Sequence, residues 1–137
     1  MKQMANTHYR SRRTSTGKKL RKNRKKRKYE LAFPPIETKS GTERKKSVRT
    51  RGGNKKLKLF NSDKINVVDP KTHKVKSTKI KRVELSPSSI DYNRRSIITK
   101  GTILDTEVGF VKVTSRPGQH GVLNGIIVDY ISSKKKK

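Results

Sequence analysis

The sequence predicts an all-β fold: a small antiparallel β-barrel or sandwich-like body carrying a long basic N-terminal extension that is irregular or partly helical. Three observations lead there. Apolar residues in the second half recur two apart, as at Leu57 and Leu59, Ile65 and Val67, Val83 and Leu85, and Val111 and Val113. Side chains at that spacing share one face of a strand. Turn-forming clusters separate these runs at Asp69-Pro70-Lys71-Thr72, Lys100-Gly101, Glu107-Val108-Gly109 and Arg116-Pro117-Gly118, which suits many short strands joined by short turns. Finally, the run from Arg10 to Lys28 holds twelve Lys or Arg, no acid, and Leu20 as its one aliphatic side chain. Such a segment has too little to bury to order itself.

Taken in order, residues 1–40 form the basic extension, 41–131 the β-rich body and 132–137 a lysine tail. Charge follows the same division. Residues 1–58 hold 22 of the 38 cations and 3 of the 10 carboxylates. Part of the extension, around Lys18 to Lys28, is expected to turn helical once its charge is neutralised. Pro34-Pro35 would end that helix, since proline lacks the backbone donor and disfavours a helical residue before it. In the body, strands are expected near 47–50, 55–60, 64–69, 74–85, 95–99, 102–106, 110–115 and 122–131. The last is β-branched and nearly continuous, as in a strand buried on both faces. No helical periodicity is visible in the body.

The chain has 137 residues, a net charge of +28 and 28% hydrophobic residues. That length suggests one domain at most. The pI of 10.9 exceeds the value of about 9 that marks nucleic-acid binders. Cysteine is absent, which removes disulfides and cysteine-based zinc sites and fits a reducing compartment. The start, MKQMANTHYRSRR, lacks the apolar core of a secretory signal, and no stretch approaches the roughly 18 apolar residues of a membrane span. A soluble intracellular protein, partly disordered when free, is the expectation.

The cations themselves are the candidate site. In the extension these are Arg10, Arg12, Arg13, Lys18, Lys19, Arg21, Lys22, Arg24, Lys25, Lys26, Arg27 and Lys28. Each can neutralise a phosphate and release counterions, and arginine adds bidentate bonding and stacking. A second group is Arg49, Arg51, Gly52, Gly53, Asn54, Lys55 and Lys56, where glycines lacking Cβ let a phosphate approach the backbone; the glycines also suit an ordinary turn joining two strands, and the two roles are compatible. Arg116 and His120 lie in a polar loop, Thr114 to Gly121, that suits a phosphate, a base edge or a purely structural role. Arg94, Arg95 and Lys100 place cations at a strand entrance.

Other chemistries find little support. His8, His73 and His120 are too scattered for an acid–base pair. Thr14 to Lys19 echoes a phosphate loop, but Arg12 stands where its first glycine belongs and Lys19 where Ser or Thr is needed. No metal-ligand spacing occurs, and no cofactor is expected. Helix-turn-helix, zinc-finger, basic-zipper and RNP-type aromatic motifs are all missing. Folded RNA, with deep charge-lined crevices, suits a long cationic arm better than a regular duplex.

Six stretches together carry a resemblance: Ser11 to Gly17 (SRRTSTG), Lys26 to Leu31 (KRKYEL), Pro35 to Thr38 (PIET), Arg49 to Lys55 (RTRGGNK), Arg94 to Gly101 (RRSIITKG) and Val113 to Gly121 (VTSRPGQHG). In this order they resemble the archaeal and eukaryotic e-type family of small-subunit ribosomal protein number eight, over about residues 10 to 130 and with archaeal-like length. The resemblance implies a structural constituent of the small ribosomal subunit in the cytoplasm, bound to small-subunit rRNA and neighbouring ribosomal proteins. It implies no enzyme activity, small-molecule substrate, membrane or homo-oligomer. Two alternatives stand beside it: an assembly factor of a related branch, and a general polyanion or nucleoid binder.

Overall fold

Five strands of the second half close into a barrel, and the reason lies in their number. The computed structural model describes residues 11–21, 24, 25, 27–30 and 34–130. These divide into two compact units, Met1–Pro35 and Ile36–Lys137. In the second unit β4 (Lys64–Val68), β5 (Val75–Leu85), β6 (Ile103–Thr106), β7 (Gly109–Val113) and β8 (Asn124–Ile127) follow one another in space as in sequence. Neighbours in this meander are antiparallel. With an odd number of strands the first and last run the same way, so the barrel closes through a parallel β4–β8 seam, a departure from the antiparallel pairing expected.

Closure turns one face of every strand inward. Ile65 and Val67 of β4, Ile80 of β5, Leu104 of β6 and Val111 and Val113 of β7 are buried there, joined by Leu59, Ile98 and Leu123. Each aliphatic side chain so buried contributes about 1.5–3 kcal/mol. The inward positions on β8 are Ile127, partly buried against the core, and the buried Gly125, opposite Val67 and Val113. A Cβ there would lie 2.4 Å from Val111 Cγ1 and 2.9 Å from the Lys112 carbonyl, so the seam closes only because that side chain is missing.

A second sheet of order β1-β3-β2 precedes the barrel. β2 (Arg44–Arg49) and β3 (Lys55–Ser62) form an antiparallel ribbon, and the two-residue β1 (Lys39–Ser40) lies parallel to the end of β3. Thr38, 1% exposed, fastens this corner. Its hydroxyl donates to the Leu59 carbonyl at 2.8 Å, and its own carbonyl accepts from Ile98 N at 2.8 Å.

The all-β body stands, with local corrections. No strand forms at 95–99: a short helix, α1 (Ile90–Arg94), capped by Ser89, whose hydroxyl accepts from Asp91 N, runs into a turn, and only Ile98 forms a β-bridge, to Thr38. Ser96 then takes a positive φ of 52°, and Ile97 and Ile98 are both buried rather than alternating. A helix of five residues is too short to show a 3.6-residue period. A second single-turn helix, α2 (Pro117–His120), occupies the polar loop. β8 is shorter than the expected 122–131 and alternates, with Asn124 and Ile126 outward, because a barrel strand has one solvent face. The expected helix across Lys18–Lys28 is not formed by the described residues there. Lys19 bridges antiparallel to Arg13, and a 3₁₀ turn occupies Lys28–Glu30. Residue 131 and the lysine tail lie outside the described residues.

Gly125→Ala is expected to destabilise the body by about 3 kcal/mol or more through forced overpacking at the seam. Gly53→Ala, at a φ of 76° with open space around it, is expected to cost about 1 kcal/mol. Thermal melts of the two variants against the parent check both.

Candidate nucleic-acid interface

The extension holds a small local architecture. Thr14 N donates to the Lys18 carbonyl at 2.9 Å and Leu20 N to that of Arg12 at 2.8 Å, so residues 12–20 double back as a hairpin. Gly17, at φ 83°, makes the turn in the left-handed region that favours glycine. Arg13 Nη1 donates to the Gly17 carbonyl at 2.9 Å and braces the turn. Arg12, Lys18, Lys19 and Arg21 are left exposed on it.

Further along, Glu30 gathers the chain around itself. Arg24 clasps it with both terminal nitrogens, Nη2 to Oε1 at 2.6 Å and Nη1 to Oε2 at 3.0 Å, and Arg27 N donates to Oε2 at 2.9 Å. The Arg24 side chain, then the Arg27 backbone amide, hold the Glu30 carboxyl down to about 2; hydrogen bonds to the charged form favour it. From the sequence alone Arg24 reads only as a phosphate ligand; the signal for Glu30 is an isolated acid two residues past an acid-free run. Lys25 and Arg27 are exposed. Arg10, Lys22, Lys26 and the side chain of Lys28 lie outside the described residues.

The tip of the β2–β3 ribbon carries the second cationic group. Thr50 N donates to the Asn54 carbonyl at 2.7 Å, and Asn54 Nδ2 to the Arg51 carbonyl at 3.3 Å. Gly52 and Gly53 both sit at positive φ, 71° and 76°, as a tight reversal between strands requires. Arg49, Arg51, Lys55 and Lys56 are exposed around them. Cross-strand register sets Arg49 against Lys55 and Lys46 against Lys58, so like charges face each other along the ribbon. Lys46 and Lys58 were missed from the sequence alone, although the Lys-Leu alternation at 56–59 hints at them. Arg44 lies 5.5 Å from the centroid of the Phe60 ring.

The polar loop is seated against this ribbon. Arg116 N donates to His120 Nδ1 at 3.3 Å, and both residues are exposed. Gly121, at φ 74°, ends α2, and a Cβ on it would fall 2.5 Å from Leu57 Cβ. That close approach locks the loop to β3 and brings Arg116 and His120 into the neighbourhood of Lys55 and Lys56. Arg94, Arg95 and Lys100 stand elsewhere, on α1 and the turn before β6. Arg95 is bonded to Glu37 and to Asp91 Oδ2. Glu37 first, then Asp91, push its guanidinium above its usual range. Arg95 thus pins α1 to the segment leading into β1, while Arg94 and Lys100 are exposed.

A family model described as Ribosomal protein S8e matches residues 7–128. Among curated relatives, the small ribosomal subunit protein eS8 of Staphylothermus marinus is 50% identical over 118 residues, covering 85% of this chain and 92% of that protein. The protein of the same name from Methanobrevibacter smithii is 46% identical over 125 residues, covering 91% and 100%. That from Sulfolobus acidocaldarius is 49% identical over 114 residues, covering 82% and 89%.

Glu30 has a pH signature. A carboxylate with a lower pKa in the folded arrangement stabilises it fully above its ordinary value of 4.5, and the contribution is lost as pH falls through about 2. Amide exchange at Arg27 is expected to stay protected down to about pH 3 and open below it. Glu30→Gln is expected to open it at neutral pH. Hydrogen exchange followed by NMR reads both.

Proposed function

This chain belongs to the ribosomal protein S8e family, and on that premise we propose that it is a structural constituent of the small ribosomal subunit that binds and stabilises folded small-subunit rRNA, mainly through Arg and Lys contacts to phosphate. The family is one of structural ribosomal proteins, not of enzymes. In this reading the protein works in the cytoplasm within the ribosome, beside neighbouring ribosomal proteins.

The observation that carries the reading is the division of labour among charges. Glu30, Glu37, Asp91, Glu84 and Asp105 are engaged by Arg24, Arg95 and Arg82 within the protein. The cations of residues 12–21, of the ribbon tip and of the α2 loop face outward. Half of the ten carboxylates are thus bonded to arginines within the protein, while Glu43, Asp91, Glu107 and Asp129 are exposed; the cations far outnumber these acids and leave a strongly cationic exterior, the complement of a phosphate backbone. The left-handed glycines at Gly17, Gly52 and Gly53 let backbone amides approach phosphates at the same places.

Arg12, Arg13, Lys18, Lys19, Arg21, Lys25, Arg27, Arg49, Arg51, Lys55, Lys56, Arg116 and His120 are the residues we assign to RNA, with Gly52, Gly53 and Asn54 shaping the tip. Arg94 and Lys100 make peripheral phosphate contacts. Arg24 and Arg95 contribute chiefly by holding their segments in place.

Deleting residues 1–30 is expected to leave the circular dichroism of the β body intact. The same deletion should weaken binding to small-subunit rRNA by orders of magnitude and flatten its salt dependence, each lost phosphate contact lowering the slope by about 0.7–0.9. Filter binding across salt concentrations reads the second effect. The full-length protein should also sediment with small subunits through moderate salt washes. Recovery only on precursor particles would indicate an assembly factor, and equal affinity for duplex DNA would indicate a general polyanion binder.

A further inference from the structure

Strand register sets cation against cation at a place outside every cationic segment discussed so far. On β4, Ile65 and Val67 point into the barrel, so Lys64 and Asn66 point out. Their partners on β5 are Lys79 and Ser77, and Asn124 of β8 stands opposite Asn66 across the seam. All five are exposed. Two lysines directly opposed in an antiparallel pair destabilise it, and neither Lys64 nor Lys79 has an ion-pair partner among the described residues. The far half of β5 is built the other way: Arg82 pairs with Asp105 at 3.3 Å and Glu84 at 3.2 Å. The barrel wall is therefore divided into a self-neutralised half and a half with opposed, uncompensated ammonium groups.

Beside the lysine pair lies a row of neutral hydrogen-bonding groups. Asn66 Nδ2 donates to Asn124 Oδ1 at 3.2 Å, which aligns the two amides across the seam and leaves the second Asn66 N–H, both Asn124 N–H groups and the Asn66 Oδ1 for an outside group. Ser77 extends the row onto β5.

We propose that this outer face of β5, β4 and β8 is a second RNA-binding surface, separate from the extension and from the β2–β3 tip. Lys64 and Lys79 straddle one phosphate, and Asn66, Asn124 and Ser77 bond the adjoining sugar–phosphate groups. The proposal rests on the reading that the protein binds folded RNA. Paired strands hold opposed residues about 4.5–5.5 Å apart at Cα, close enough for two flexible lysines to share one phosphate. A bound phosphate would turn their repulsion into attraction, and neutral amides and a hydroxyl beside it match ribose and its 2′-hydroxyl. An acidic protein segment would be matched better by further cations. With this surface the body holds RNA on its own barrel and is not simply a mount for the basic extension.

Lys64→Glu separates the two roles of the pair, because it replaces a repelling cross-strand pair with an attracting one. The isolated full-length variant is expected to melt about 2–5 °C higher than the parent. Its affinity for a protein-free small-subunit rRNA transcript is expected to fall about tenfold, with the salt slope reduced by about 1. Lys71→Glu, an equal change of net charge in the β4–β5 turn, is expected to leave affinity within about twofold. Lys64→Gln should lose affinity without the rise in melting temperature. Unchanged RNA affinity in Lys64→Glu, with the parent binding normally, overturns this surface and leaves the broader reading standing. The same holds if affinity is unchanged and only incorporation into small subunits falls, since an acidic protein would then occupy the face. Failure of the parent chain to bind the transcript overturns both.

Discussion

Mutual repulsion among 38 cations, against 10 carboxylates, is the force that every folded part of this protein must withstand. Opposite charges help only where they are placed with care, and the described acids sit at junctions. Glu30 draws Arg24 and the Arg27 amide together in the extension. Glu37 and Asp91 meet on Arg95, joining α1 to the strand entry. Asp69 accepts from Lys71 N and the Thr72 hydroxyl to shape the β4–β5 turn, and those bonds lower its own pKa. These contacts organise local geometry. Cohesion comes from elsewhere, since exposed ion pairs contribute little.

It comes from a small aliphatic interior wrapped by five strands. A narrow barrel has room for Val, Ile and Leu and for little else, and its seam requires a position with no side chain at all. The cationic ribbon is fixed to this scaffold at its base by Thr38 and along its length by the α2 loop. Rigid support matters for binding, because a cation already held in place loses less freedom when it meets a phosphate. Leu57 connects packing to binding: it receives Gly121 on one side and lies one residue from Lys56 in the strand that carries the charge.

Much of this was legible in the sequence because β structure writes itself at a spacing of two. Leu57 and Leu59, Ile65 and Val67, and Val111 and Val113 located three strands, and Asp69-Pro70 and Lys100-Gly101 located turns. What escaped was information held in pairing. α1 is decided by a serine cap over five residues, and Ile97-Ile98 imitates a strand while packing as a corner. β1 exists only because β3 offers an edge. The cationic residue types of the interface could be read directly, but which lysines oppose one another could not, since opposition is a property of register. The structural duty of Arg24 and Arg95 was hidden for the same reason: their carboxylate partners are identified by folding, six residues away in one case and 58 in the other.

The position of β8 in the chain has a consequence for biosynthesis. The barrel cannot shut until Gly125 and its neighbours are available to β4, yet the hairpin at residues 12–20 leaves the peptidyl transferase centre more than a hundred residues earlier. At about 5–20 residues per second, the nascent basic segment precedes the closing strand by several seconds. During that interval it is attached to a translating particle that is itself largely polyanion, while the future core is still open. The order of synthesis thus sets how long the cationic segment is exposed before the last strand of the barrel exists.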